Sequence, residues 1–183
     1  MARGSFASHA QRLLLDNGLI SIQAYVRIHS TTRRGDAAGT ASDRGLPMNG
    51  GTGLFKLGDV FRHTLTVTPE LMHRFQSVSG DSNPIHLDDR YAAARGFRGI
   101  VVYGNLLGAM VSHLVGMKLP THEVIILSES LEFRKPSYVG EEIRLEATVA
   151  RVHEAVMAVS LRLAFFSPAG EKVCTGQCVI KCL

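Results

Sequence analysis

The sequence predicts an α+β fold: one antiparallel sheet wrapped around a long central helix. Three observations carry that reading. Residues Ile100–Val115 are apolar on almost every side, the pattern of a helix buried in a core. Four long strand-like segments follow, at Glu123–Phe133, Glu141–Glu154, Val156–Phe166 and Lys172–Cys182, with turn signals at Pro136, Gly140, Pro168 and Gly170. One more strand comes first, where Val60, Arg62, Thr64, Thr66 and Thr68 alternate with Phe61, His63, Leu65 and Val67.

The chain divides near residue 53. Residues 1–52 hold six arginines, no lysine and three acids, and the remainder holds 14 basic and 13 acidic residues. Most of the net charge of +4 therefore belongs to the N-terminal extension, and the body is close to neutral. No basic stripe with interleaved aromatics is present, so nucleic acid is not an expected partner. Within the extension, Ala10–Leu15 and Gly18–Ile28 could form a short amphipathic helix, and Ser30–Gly53 reads as a flexible linker. Arg-rich, acid-poor N-termini fit a mitochondrial presequence. A start assigned too early, with translation beginning at Met48, fits equally well. No apolar run is long and uncharged enough for a membrane span.

From residue 53 the chain has the length and composition of one globular domain, with 45% hydrophobic and 20% charged residues over the whole sequence. After the first strand, Thr68 reads as an N-cap with Pro69 at the first helical position. A helix over Glu70–Val78 would turn Leu71, Phe75 and Val78 inward. Gly80 ends it, and Asp88 and Asp89 open a short second helix, Tyr91–Ala94. In the long apolar helix, Gly104, Gly108 and Ser112 make a smooth face for close backbone packing, and His113 reads as a helix-edge residue. His153, Glu154 and Ala155 mark a tight reversal. Cys174, Cys178 and Cys182 match no common zinc spacing. On a strand they share one face, which makes packing the expected role and reduced thiols the expected state.

The chemistry concentrates in Phe75–Ala92, FQSVSGDSNPIHLDDRYA, which holds Asp81 and His86 five residues apart. Ser82, Asn83 and Pro84 between them favour a turn, and Gly80 lets the backbone bend. Acid and base therefore flank a stiff bend instead of sharing a helical face. Each residue alone reads as a cap or a solvated side chain. As a string the residues say more: Val78-Ser79-Gly80-Asp81, then Asn83-Pro84-Ile85-His86, resembles the motif of the (R)-specific enoyl-CoA hydratases, also called hydratase 2 or MaoC-like dehydratases. The resemblance covers roughly Leu54–Leu183 and names the fold a single hot dog.

The resemblance implies that Asp81 and His86 together activate a water that adds across the 2,3 double bond of a trans-2-enoyl thioester, or that the pair runs the reverse dehydration. It implies a backbone N–H from Gly104, at the start of the apolar helix, as the donor to a developing enolate oxygen. Asn83 orients the loop or the water, or is simply a turn residue. No cofactor and no metal is implied, since the CoA or acyl-carrier-protein thioester is the substrate. Tyr103 and Asn105 flank Gly104 where many relatives carry other residues, which bears on the acyl chain accepted. Arg134 and Lys135 could meet phosphates or serve as an edge-strand solubility device. Relatives dimerise, so a homodimer is expected. The cytoplasm is the expected location, or the mitochondrial matrix if residues 1–52 are a presequence. Two alternatives stand beside this: a hot-dog thioesterase, and a non-catalytic acyl-thioester-binding subunit. The intact Asp81/His86 string weighs against both.

Overall fold

The computed structural model describes residues 51–183. The expectations for residues 1–50, presequence, helix and linker, lie outside the described residues. A short 3-10 turn at Thr52–Leu54 leads into β1 (Val60–Thr66). Then come α1 (Pro69–Ser79), α2 (Asp89–Ala93) and α3 (Gly104–Met117). Four strands complete the chain: β2 (Val124–Phe133), β3 (Glu142–His153), β4 (Ala158–Phe166) and β5 (Lys172–Cys182). The five strands form one sheet in the order β1-β3-β4-β5-β2, antiparallel throughout. This is the α+β architecture the patterning predicts.

The core lies between α3 and one face of the sheet. Ile143, Leu145, Ala147 and Val149 of β3, with Leu161, Leu163 and Phe165 of β4, meet Leu107, Met110, Val111 and Leu114 of the helix. The opposite face of the sheet carries Glu146, Arg162 and Gln177, as expected of an antiparallel sheet with one solvated side. The three cysteines are unpaired and buried in β5. Leu161 opposes Cys178 and Phe165 opposes Cys174, so these thiols share the inner face with the apolar residues of β4. Burial, chiefly, pushes Cys174 up to about 11 and Cys178 up to about 12.

Two expectations about helix faces need correction. The long helix is not buried all round, because one sheet covers only one side of it: Asn105, Ser112, His113, Gly116 and Met117 are exposed. Its Gly104/Gly108 face receives side chains instead of a backbone. A Cβ on Gly104 would lie 3.0 Å from the Phe133 ring, and one on Gly108 would lie 3.3 Å from Glu129 Oε1. In α1 the buried stripe runs through Met72 and Phe75 and leaves Val78 88% exposed. Leu71, seven residues earlier and on the same side, still packs on the core, whereas Val78 is the last residue but one of α1. The caps are as predicted: Thr68 Oγ1 accepts from the Leu71 amide at 3.1 Å, and Gly80 closes α1 at φ 71°. The reversal after β3 uses a 3-10 turn, Glu154–Val156, with Met157 at φ 56°, so β4 starts two residues later than expected. Among the described residues no helix is long and apolar enough to cross a membrane.

Two predictions concern the sheet. A methyl on Gly176 would fall 2.2 Å from the Ser130 carbonyl oxygen and 2.8 Å from Leu131 Cδ2. Gly176→Ala must therefore prise β5 from β2, and urea unfolding should show a loss of about 2 kcal/mol or more. The thiols give a pH dependence. Below their ordinary value of 9.0, folded and unfolded chains both hold these protons. Above it the unfolded chain releases them first, so stability should fall as pH rises from about 9 towards about 12. Denaturation midpoints compared at about pH 8 and about pH 11 check the sign, and Cys178→Ala should flatten the decline.

Candidate active site

The loop between α1 and α2 is built from short side-chain-to-backbone bonds. Gly80 turns the chain, and its N–H donates to Gln76 O at 2.8 Å. Asp81 Oδ1 accepts from the Asn83 amide at 3.0 Å, and Asn83 Oδ1 accepts from the Ile85 amide at 3.2 Å. These two Asx-type turns feed a 3-10 turn, Pro84–His86, with Asn83 at its cap. Asn83 thus caps this turn through its own side chain. Asp88 caps α2 by accepting from the Arg90 and Tyr91 amides, the local role expected of an acid at a helix start.

His86 is fixed from outside the loop. Its Nδ1 lies 2.7 Å from the Val101 carbonyl oxygen. A carbonyl only accepts, so Nδ1 carries the hydrogen and the Nε2 lone pair of the neutral ring stays available. The Val101 amide in turn donates to Ile85 O at 3.1 Å, which clasps the loop to the segment before α3. Tyr103 completes the frame. Its ring, almost wholly buried, lies 4.1 Å from the His86 ring and 5.2 Å from Phe75, centre to centre. Its hydroxyl donates to the Asp81 carbonyl oxygen at 2.8 Å. Burial, and secondarily the Asp81 carboxylate, raises the Tyr103 pKa, so the hydroxyl remains a donor.

A cavity of about 370 Å³ opens beside this frame. His86, Tyr103 and Gly104 line it together with Leu107, Phe133 and Ser137. Gly104 is the first residue of α3, where the amide lacks an intrahelical acceptor, and Tyr103 supplies no side-chain cap. The structure thus brings His86 and Gly104 to one cavity. It does not place Asp81 in that wall: Asp81 is exposed on the loop, and among the described residues no hydrogen bond or ion pair joins it to His86. Of the two groups, only His86 borders the cavity. Arg134 and Lys135, left open between two roles, also line the cavity. His113 lies elsewhere, stacked on His63 of β1 at 4.1 Å between ring centres. Sequence reasoning missed Val101, whose contribution is a backbone carbonyl, and Ser137, whose buried hydroxyl has no partner among the described residues.

The fold is that of a hot-dog protein, and the similarities place it with the hydratases and dehydratases of that fold. The family described as "MaoC like domain" matches residues 56–161, more than half of the chain, and the protein belongs to that family. It is 36% identical over 107 residues to an (R)-specific enoyl-CoA hydratase of Aeromonas caviae, covering 58% of this chain and 80% of that one. It is 37% identical over 90 residues to a mitochondrial 3-hydroxyacyl-[acyl-carrier-protein] dehydratase of Arabidopsis thaliana, covering 49% of this chain and 53% of that one. The solved structure of the (R)-hydratase from A. caviae involved in PHA biosynthesis superposes with a TM-score of 0.68 at 32% identity, covering 70% of this chain and 98% of that one.

Tyr103→Phe tests the frame. Removing the hydroxyl that holds the Asp81 carbonyl should cost about 1 kcal/mol in urea unfolding. Amide exchange should speed up in residues 80–86 and stay unchanged in β3 and β4.

Proposed function

We propose that this protein adds water to trans-2-enoyl thioesters to give (R)-3-hydroxyacyl thioesters, and runs the reverse dehydration, in fatty acid metabolism. The observation that supports it most is the imidazole of His86. Its Nδ1–H is committed to Val101, and its ring borders the cavity that Gly104 also lines.

In this reading Asp81 and His86 hold one water. Asp81 Oδ1 is engaged by the Asn83 amide, which leaves Oδ2 to accept from the water. His86 Nε2 takes a proton from it as the oxygen attacks C3. The 2,3 π electrons move towards C2 and onto the thioester oxygen, which becomes an enolate oxygen. The Gly104 amide, at the positive end of α3, donates to that oxygen where the charge develops. The enolate collapses as C2 takes the proton from His86. The water's two parts thus end on C3 and C2, and the residues return to their starting state. The carrier is CoA or acyl carrier protein; the named relatives include one of each kind.

The acting form in this proposal is a homodimer. β2 lies at one edge of the sheet and carries exposed Ile125, Ile126 and Phe133, apolar surface that a second copy would cover. The cytoplasm is its proposed location, with the mitochondrial matrix as the alternative; the plant relative is named as mitochondrial.

Crotonyl-CoA hydration, followed by loss of enoyl-thioester absorbance with chiral analysis of the product, tests this reading. The expected product is (R)-3-hydroxybutyryl-CoA. Asp81→Asn and His86→Ala should each lower kcat by about 10²–10⁴ with unchanged circular dichroism. An Asp81→Asn protein with nearly wild-type kcat would remove Asp81 from the chemistry.

A further inference from the structure

The strip of chain that carries Val101 is held to the sheet by few bonds. Residues 100–102 run antiparallel to residues 137–139. Val102 N–H donates to Ser137 O at 2.8 Å, Val139 N–H donates to Ile100 O at 3.2 Å, and Val101 faces Tyr138 in a single bridge. A ribbon this short is marginal by itself, so its register depends on what holds its ends. Tyr103 holds one end, with its ring in the core and its hydroxyl on the Asp81 carbonyl. The other end opens at Arg98.

There two side chains form a clamp. Gly140, at φ 91°, turns the backbone so that the Glu141 N–H donates to Tyr138 O at 3.1 Å. The Glu141 side chain folds back over the same turn. One of its oxygens accepts from the Tyr138 amide at 2.9 Å, and the other accepts from Arg98. The Arg98 guanidinium also lies over the Tyr138 ring, 4.1 Å from its centre. Arg98 therefore grips Tyr138, the residue facing Val101, both through its ring and through the carboxylate on its amide. With 14% of its side chain exposed, Glu141 is the most shielded carboxylate in any ion pair among the described residues. Neither Arg98 nor Glu141 lines the cavity at His86. They stand in the wall of a second cavity, of about 560 Å³, which shares Lys135 and Pro136 with the first. Any influence of the pair on the imidazole therefore travels through the ribbon.

We infer that Arg98 and Glu141 are positioning residues for His86: they hold the Val101 carbonyl where it accepts from Nδ1–H, and so keep the hydrogen off Nε2. This rests on the reading of His86 as the base. When Val101 drifts, the ring is free to carry its hydrogen on Nε2 instead, and the lone pair that takes the water's proton is lost.

Ring nitrogen chemical shifts of His86, read by NMR on the resting full chain at about pH 8.5, above the ordinary imidazole range, report the tautomer directly. In wild type the hydrogen should sit on Nδ1. Arg98→Ala should move a measurable share of it to Nε2. The same variant should turn over crotonyl-CoA with kcat about tenfold lower and KM within about twofold, because the ring is misplaced while the cavity wall is intact. Glu141→Gln keeps an acceptor for the Tyr138 amide and should shift the tautomer less, in the same direction. The double variant should match Arg98→Ala, since both changes open one clamp. Arg62→Ala removes another exposed pair, with Glu146 on the strands β1 and β3, and should leave tautomer and kcat as in wild type. An unchanged tautomer in Arg98→Ala, at any level of activity, would overturn the inference, and so would an equal shift in Arg62→Ala. A shifted tautomer in a protein inert towards enoyl thioesters would keep the clamp and remove the hydratase reading.

Discussion

The short extended segment Ile100–Tyr103 is the brace on which the rest of the site depends. On one side it is hydrogen-bonded to the chain between β2 and β3: Val102 N–H donates to Ser137 O at 2.8 Å, and Val139 N–H donates to Ile100 O at 3.2 Å. On the other side it holds the Asp81–His86 loop, through Val101 N–H to Ile85 O and His86 Nδ1–H to Val101 O. Its last residue, Tyr103, reaches the Asp81 carbonyl, and the next residue begins α3. Loop, sheet and helix N-terminus are thus referred to one strip of backbone. Backbone groups buried away from water must be paired, so this strip has little freedom to shift without breaking bonds on both sides.

The apolar core supplies the rigidity behind that brace. Leu106, Met110, Val111 and Leu114 anchor α3 on the inner face of the sheet, which fixes where its first amide sits. Opposing β2 residues Glu129, Leu131 and Phe133 fill the space left by the missing Cβ atoms of Gly104 and Gly108. Phe133 therefore has two neighbours that matter, the start of α3 and the cavity it helps to line. Tyr103 joins the two regimes. Its ring belongs to the core, and its hydroxyl belongs to the polar loop.

Charge in this protein is handled pair by pair. The near balance of 14 basic and 13 acidic residues after residue 52 appears around the two cavities as three local pairs, on Arg98, Arg134 and Lys135. Such a rim has no strong field of its own.

How much was legible in the chain follows from the range of each interaction. Thr68-Pro69, Gly80, the Asp81–Pro84 turn and the Asp88 cap act within a few residues, and their roles could be read directly because capping and turn chemistry are local. The strands showed through their periodicity, since a half-buried antiparallel strand must alternate. The placement of Val78 and the exposed side of α3 were not legible, because which flank of a helix is covered depends on how far the sheet extends over it. The partner of His86 was hidden for a similar reason: Val101 contributes a carbonyl, which every residue has, so no side chain advertised it. By itself, then, the sequence determined the residue types of the site, the turns that carry them and the order of elements. Only the tertiary structure decided which imidazole nitrogen is free, that Asp81 stays on the exposed loop while His86 borders the cavity, and that Lys135 sits between two cavities. Those outcomes depend on contacts between residues far apart in the chain, where local propensity carries no information.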